Sequence, residues 1–229
     1  MSSKLIIALD YPTANQALKF VDGLSPEICK LKVGFELFVA AGPDFVKQLV
    51  DQGYDVFLDL KFHDIPNTVA SACRGAANLG VWMMNVHASG GDKMMRAAKQ
   101  ALLDMRSSAR LIAVTVLTSM DKEQLETSNV ILSPQDQVKS LAQLTKESLL
   151  DGVVCSAQEA QILREKMGGD FLLVTPGIRP VGADSGDQSR VMTPREAYTA
   201  GVSYIVVGRP ITQSENPLAV IENINNDLM

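Results

Sequence analysis

Six consecutive residues concentrate the ionic side chains that could do chemistry: Asp59-Leu60-Lys61-Phe62-His63-Asp64. Asp59 and Lys61 are two residues apart in an apolar run that reads as a strand. That spacing sends both side chains to the same side. Asp64 falls just past the end of the run, ahead of Ile65-Pro66. Lys32 occupies the matching end of the preceding apolar run. The expected arrangement is a row of alternating negative and positive groups. Unit charges ~4 Å apart attract by ~4 kcal/mol at an effective dielectric of ~20, so such a row favours carboxylate and ammonium forms. It would place a charged carboxylate beside a substrate group and a proton donor next to it.

A second set of residues points to an anion. Pro176-Gly177-Ile178-Arg179-Pro180 and Gly208-Arg209-Pro210-Ile211 each follow an apolar run near the end of the chain. Glycine lets a ligand approach the backbone closely, and arginine offers a forked, charged donor. Pro176, Arg179, Gly208 and Arg209 are therefore candidate phosphate-site residues. Asp10, after Ala8-Leu9, and Lys30 are further charges at or inside apolar runs.

Elements that could position these groups recur along the chain. Eight short apolar runs, at 4–9, 29–33, 55–60, 82–87, 111–117, 152–155, 171–175 and 204–207, have the composition of parallel strands buried on both faces. Helices are expected between them at 13–24, 36–52, 66–79, 91–105, 135–150, 157–167, 194–200 and 217–228. Ser133-Pro134 and Thr193-Pro194 are helix-start signals. Eight βα units in 229 residues fit one (β/α)₈ barrel as a single domain. No GxGxxG follows the first strand, which removes support for a dinucleotide-binding sheet. In a barrel, polar residues at C-terminal strand ends converge on one mouth. The least patterned stretches, 118–133 and 181–193, are expected as loops at that mouth.

The bulk properties exclude several functions. A net charge of −5 without a long basic run argues against nucleic-acid or membrane-surface binding. No stretch approaches the ~20 apolar residues of a membrane span. Cys29, Cys73 and Cys155 form no CxxC pair, which suggests reduced thiols in the cytoplasm. With only two histidines there is little material for a metal centre. His63 is expected to make a structural or interface hydrogen bond, and His87 to end the fourth strand. The Met83-Met84 and Met94-Met95 pairs read as core or interface filling.

The strings Ala8-Leu9-Asp10, Lys30-Leu31-Lys32-Val33-Gly34, Asp59 through Val69, Leu117-Thr118-Ser119, Thr175 through Arg179, Gly186 through Val191 and Val207 through Ile211 resemble the orotidine 5′-monophosphate decarboxylase family, most closely its bacterial form. The resemblance spans the chain in order, and the Asp59–Val69 string is its most specific part. It implies a TIM barrel that decarboxylates orotidine 5′-monophosphate to UMP without a cofactor. Lys61 matches the proton donor to C6, and Asp59 the carboxylate set against the departing group. Asp64 and Thr68 match residues that a homodimer partner contributes. Asp10 and Lys32 match ribose contacts, and Thr118 and Ser119 a pyrimidine-contacting segment. Arg179, Gln188, Gly208 and Arg209 match the phosphate grip, with a lid at 181–189. The stretch from Val181 to Gln188 is slightly longer than the family pattern. The competing expectation is a Mg²⁺-dependent phosphosugar decarboxylase or aldolase of related sequence, which also carries a D-x-K-x-x-D string.

Overall fold

The computed structural model describes residues 3–180 and 192–229. Strand β1 (Leu5–Ala8) leads to helix α1 (Ala14–Val21), and β2 (Lys30–Gly34) to α2 (Phe35–Asp51). Strand β3 (Val56–Phe62) precedes α3 (Pro66–Asn78), and β4 (Met83–His87) precedes α4 (Gly91–Asp104). Two helices, α5 (Lys122–Thr127) and α6 (Pro134–Glu147), follow β5 (Arg110–Val114). Then come β6 (Gly152–Val154), α7 (Ala160–Met167), β7 (Leu172–Thr175) and α8 (Pro194–Thr199). Strand β8 (Tyr204–Val207) ends in α9 (Arg209–Thr212) and α10 (Pro217–Asp227). All eight strands pair in parallel and close in sequence order, β8 returning to β1. This is the expected (β/α)₈ barrel.

Alternation along the strands builds two cores. Ile6, Ala8, Phe57, Met83, Ile112, Val174 and Val206 fill the barrel interior. Their neighbours in sequence, such as Leu5, Ile7, Leu58 and Met84, pack outward against the helices, as do Leu31 and Val33 of β2. Burial on both faces is why the strands read as continuous apolar runs. Both methionine pairs are buried.

Four local features depart from the sequence reading. The helix expected over 36–52 turns at Gly42, where φ is 73°, because Pro43 has no N–H and disfavours a helical residue before it. Within 118–133, read as a loop, Asp121 caps α5 by accepting from the Gln124 N–H at 2.9 Å. The short α9 was not anticipated. Lys30 stands at the start of β2, opposite Ile6, and not at the C-terminal mouth. Its ammonium pairs with Asp55 at 2.5 Å and lies 4.7 Å from the Trp82 ring centroid, while Trp82 packs edge-on against Tyr204. Lys30 therefore helps to close the opposite end of the barrel.

Candidate active site

The C-terminal mouth holds a cavity of about 520 Å³, within the roughly 300–1,000 Å³ typical of small-molecule sites. Its floor is the top of the interior core, including Ala8, Phe57, Val114 and Val206. The ionic row stands on this floor. The Lys61 ammonium lies 2.7 Å from Asp59 Oδ1. Lys32 bridges Asp59 Oδ2 and Asp10 Oδ1, at 3.3 Å each. Gly34 makes room for that bridge, since a Cβ there would come within 3.1 Å of the Lys32 Nζ.

Burial acts against both central charges, and their partners overcome it. Desolvation works to lower the Lys32 pKa, but Asp59 and then Asp10 outweigh it and hold the value above that of an ordinary lysine. Desolvation works to raise the Asp59 pKa. Lys32, Lys61 and hydrogen bonds from Lys61 and Asn85 outweigh it and hold the carboxyl below its usual range. Asp59 is thus ionised at neutral pH, with cations on both oxygens.

The backbone that presents Lys61 is not a regular strand. Between Leu58 and Phe62 the pairing of β3 with β4 shifts: Leu58 lies opposite Met84, and Phe62 opposite Val86. Four steps on one strand match two on the other. Lys61 occupies the shifted stretch with φ of 46°. A left-handed non-glycine residue costs about 1–3 kcal/mol, and such strain concentrates at functional sites. Asn85, fully buried on β4, accepts the Lys61 backbone N–H at 2.8 Å and donates to Asp59 Oδ1 at 2.7 Å.

The other wall carries the proposed anion groups. Pro176, Arg179, Gly208 and Arg209 all border the cavity, as do Thr118 and Ser119. Gly177 has φ of 79°, a conformation that glycine adopts without Cβ strain, and it turns the chain from β7 toward Arg179. Arg179 is buried. Its Nη1 donates to the Ile178 carbonyl at 3.0 Å, and its backbone N–H to the Met192 carbonyl at 3.0 Å. Arg209 is the exposed first residue of α9.

Two expected site residues stay outside the cavity of their own chain. Asp64 is exposed and caps its neighbour, accepting from the Ile65 N–H at 2.6 Å. Thr68 is exposed in the first turn of α3. Gln188 and the 181–189 lid lie outside the described residues. Two contributors were missed from sequence. Asn85 had a signal, an amide inside the apolar run Met-Met-Asn-Val-His. Gln213, on the cavity wall after α9, had none.

Neither histidine borders the cavity; their rings lie 5.6 Å apart. Burial first, then the nearby charge of His63 and Lys61, lowers the His87 pKa despite opposition from Asp59, so His87 is neutral at pH 7. Cys155 borders the cavity near its floor. Burial pushes the Cys29 and Cys73 thiols up to about 12, so they are not thiolate nucleophiles. Among the described residues, no three His, Cys, Asp or Glu side chains cluster closely enough to hold a metal ion.

A closed parallel barrel, with charged side chains from several strands converging on one mouth, defines a TIM-barrel enzyme. Residues 3–224 match the model of the orotidine 5′-phosphate decarboxylase / HUMPS family, and the chain belongs to that family. It is 60% identical over 228 residues to orotidine 5′-phosphate decarboxylase of Pseudoalteromonas translucida, covering 99% of this chain and 97% of that one. It is 57% identical to the enzyme of the same name from Pectobacterium atrosepticum, with coverage of 100% and 93%. The crystal structure of orotidine 5′-phosphate decarboxylase from Lactobacillus acidophilus superposes with a TM-score of 0.88 at 42% identity, covering 99% of both chains. No helix among the described residues is long and apolar enough to cross a membrane.

Proposed function

We propose that the protein decarboxylates orotidine 5′-monophosphate to UMP and CO₂ without a cofactor, the last step of de novo UMP synthesis. The observation that carries this reading is the contact between the Lys61 ammonium and Asp59 on the cavity floor, at 2.7 Å. The substrate's C6 carboxylate stands against Asp59 with the phosphate held across the cavity. The C6–carboxylate bond breaks and CO₂ departs. The electron pair stays at C6 in an sp² orbital that the ring cannot readily delocalise. Lys61 stabilises that charge and then delivers its proton to C6. Its neutral amine regains a proton from solvent.

The binding groups divide by position. Asp10 and Lys32 take the ribose, and Thr118 and Ser119 the pyrimidine. Pro176, Arg179, Gly208 and Arg209 surround the phosphate. Phosphate is remote from the reacting carbon, so its binding energy can serve to organise the charged row.

The reading includes a homodimer. Asp64 and Thr68 are exposed and turned out of their own cavity, beside Ile65, which is 67% exposed. Each protomer would lend Asp64 and Thr68 to the other's site. Mixing Lys61→Ala protein with Asp64→Ala protein, each nearly inactive, is then expected to restore up to about one quarter of parental activity. That fraction follows if half of randomly paired dimers are mixed and each carries one intact site. No recovery after verified subunit exchange would show that Asp64 acts within its own chain. The buried, reduced cysteines fit a cytoplasmic protein.

The functional test is the loss of ultraviolet absorbance when orotidine 5′-monophosphate is mixed with purified, EDTA-treated protein. Full activity is expected. Activity abolished by EDTA and restored by Mg²⁺ would overturn the cofactor-free reading, and no activity with or without Mg²⁺ would leave the phosphosugar alternative to be assayed on its own substrates.

A further inference from the structure

Asn85 is a fully buried amide that the reaction above does not use. It lies on β4 opposite Ile112 of β5, outside the cavity lining. Its two polar atoms have fixed identities. The Lys61 backbone N–H can only donate, so the atom facing it at 2.8 Å is the amide oxygen. The Asp59 carboxylate can only accept, so the atom facing it at 2.7 Å is the amide nitrogen. Asp59 Oδ1 also receives the Lys61 ammonium at 2.7 Å. The three side chains and the Lys61 peptide form a closed ring of hydrogen bonds.

The ring sits where ordinary strand pairing fails. Ladder bonding between β3 and β4 loses register from Leu58 to Phe62, and Lys61 is left-handed within that gap. A backbone donor released there needs another buried acceptor. Asn85 provides one and turns the Asp59 carboxylate with the same group.

Resting on the decarboxylase reading, we infer that Asn85 is a positioning residue: it holds Lys61 in its left-handed conformation and fixes Asp59, so that proton donor and carboxylate meet the substrate in one geometry. A buried amide serving packing alone would not couple these two residues. Misplacement of a reacting group by about 1 Å can cost ~10²-fold in rate.

The charged and titratable groups facing Asp59 are Lys32 from β2, Lys61 within β3 and His87 from β4, with Asp10 beyond Lys32 and His63 beside His87. Two variants separate Asn85 from these. Asn85→Ala removes both hydrogen bonds. Asn85→Asp keeps size and the acceptor for Lys61 but replaces the donor to Asp59.

In free protein, a carboxyl-carbon NMR titration of Asp59 is expected to move to higher pH in both variants; an unmoved midpoint overturns the inference. In turnover, Asn85→Ala is expected to lose about 10²-fold in kcat with KM within about threefold. A kcat within threefold of parent, or a loss carried by KM, overturns it. Should Asn85→Ala fail to fold, the isosteric variant decides. Two adjacent carboxyls share a proton as pH falls, so the side chain introduced by Asn85→Asp becomes a donor to Asp59 again. The variant's activity relative to parent is expected to rise about tenfold or more between about pH 8 and pH 5. The ratio removes ionisation of the substrate phosphate, and a flat ratio overturns the inference. If the parent is inert toward orotidine 5′-monophosphate, the decarboxylase reading fails, while the Asp59 titration still decides whether Asn85 holds the carboxylate.

Discussion

Lys61→Ala is expected to abolish nearly all turnover, by about 10⁴-fold or more in kcat, while leaving a folded barrel. A positioned general acid contributes typically ~10²–10⁴-fold, and stabilisation of developing charge another ~10²–10³-fold. Both depend on one ammonium in this site. The fold should survive because Asp59 keeps two of its three partners, Lys32 at 3.3 Å and Asn85 at 2.7 Å. The lysine side chain is itself 24% exposed, so its removal opens no sealed cavity. At this chain length each kcal/mol of lost stability lowers Tm by about 2–4 °C, so thermal unfolding monitors the fold directly. UMP binding should persist, since the ribose and phosphate groups are untouched. Near-normal kcat in the variant would remove Lys61 as proton donor. Loss of UMP binding together with a collapsed Tm would mean that the ammonium is mainly structural.

The route from sequence to this site was clear where burial dictated composition. All eight strands read as apolar runs because both faces are covered, one by the interior core and one by helices. Charges at the ends of such runs stood out for the same reason. Periodicity could not assign a charge to an end of the barrel. Lys30 and Lys32 share one face of β2, and only the pairing of Ile6 with Lys30 and Ala8 with Lys32 sends one to the bottom and the other to the mouth. For Lys61 the expected meeting with Asp59 occurs, but through a shifted register and a left-handed residue that regular alternation does not contain. The role of Asn85 depends on that irregularity, which no strand periodicity encodes. Helices α5 and α9 have six and four residues, too few for a periodic pattern to emerge. Asp64 and Thr68 are a different case, since one chain leaves them on its surface and the role implied for them belongs to an assembly.

The phosphate assignment makes the second large prediction. Arg209→Ala is expected to lower kcat/KM for orotidine 5′-monophosphate by about 10–150-fold, the value of one charge-assisted hydrogen bond at ~1.5–3 kcal/mol. The loss for orotidine, which lacks the phosphate, should stay within about threefold. Arg209 is better suited to this test than Arg179, although both border the cavity. The Arg179 guanidinium is buried and bonded to the Ile178 carbonyl, so its removal would also disturb the turn after β7. Arg209 is exposed at the start of α9, and the Gly208 carbonyl keeps its bonds from the Ile211 and Thr212 N–H groups without that side chain. Comparison of the two substrates separates ligand contact from any effect on the fold, since a folding defect in Arg209→Ala would lower both activities alike. The loss should also shrink as salt rises, because an exposed cation is screened over a Debye length of about 8 Å at physiological ionic strength. Equal losses for both substrates would place Arg209 outside the phosphate site. The anion would then have to be held by Arg179 and the backbone around Gly177 and Gly208.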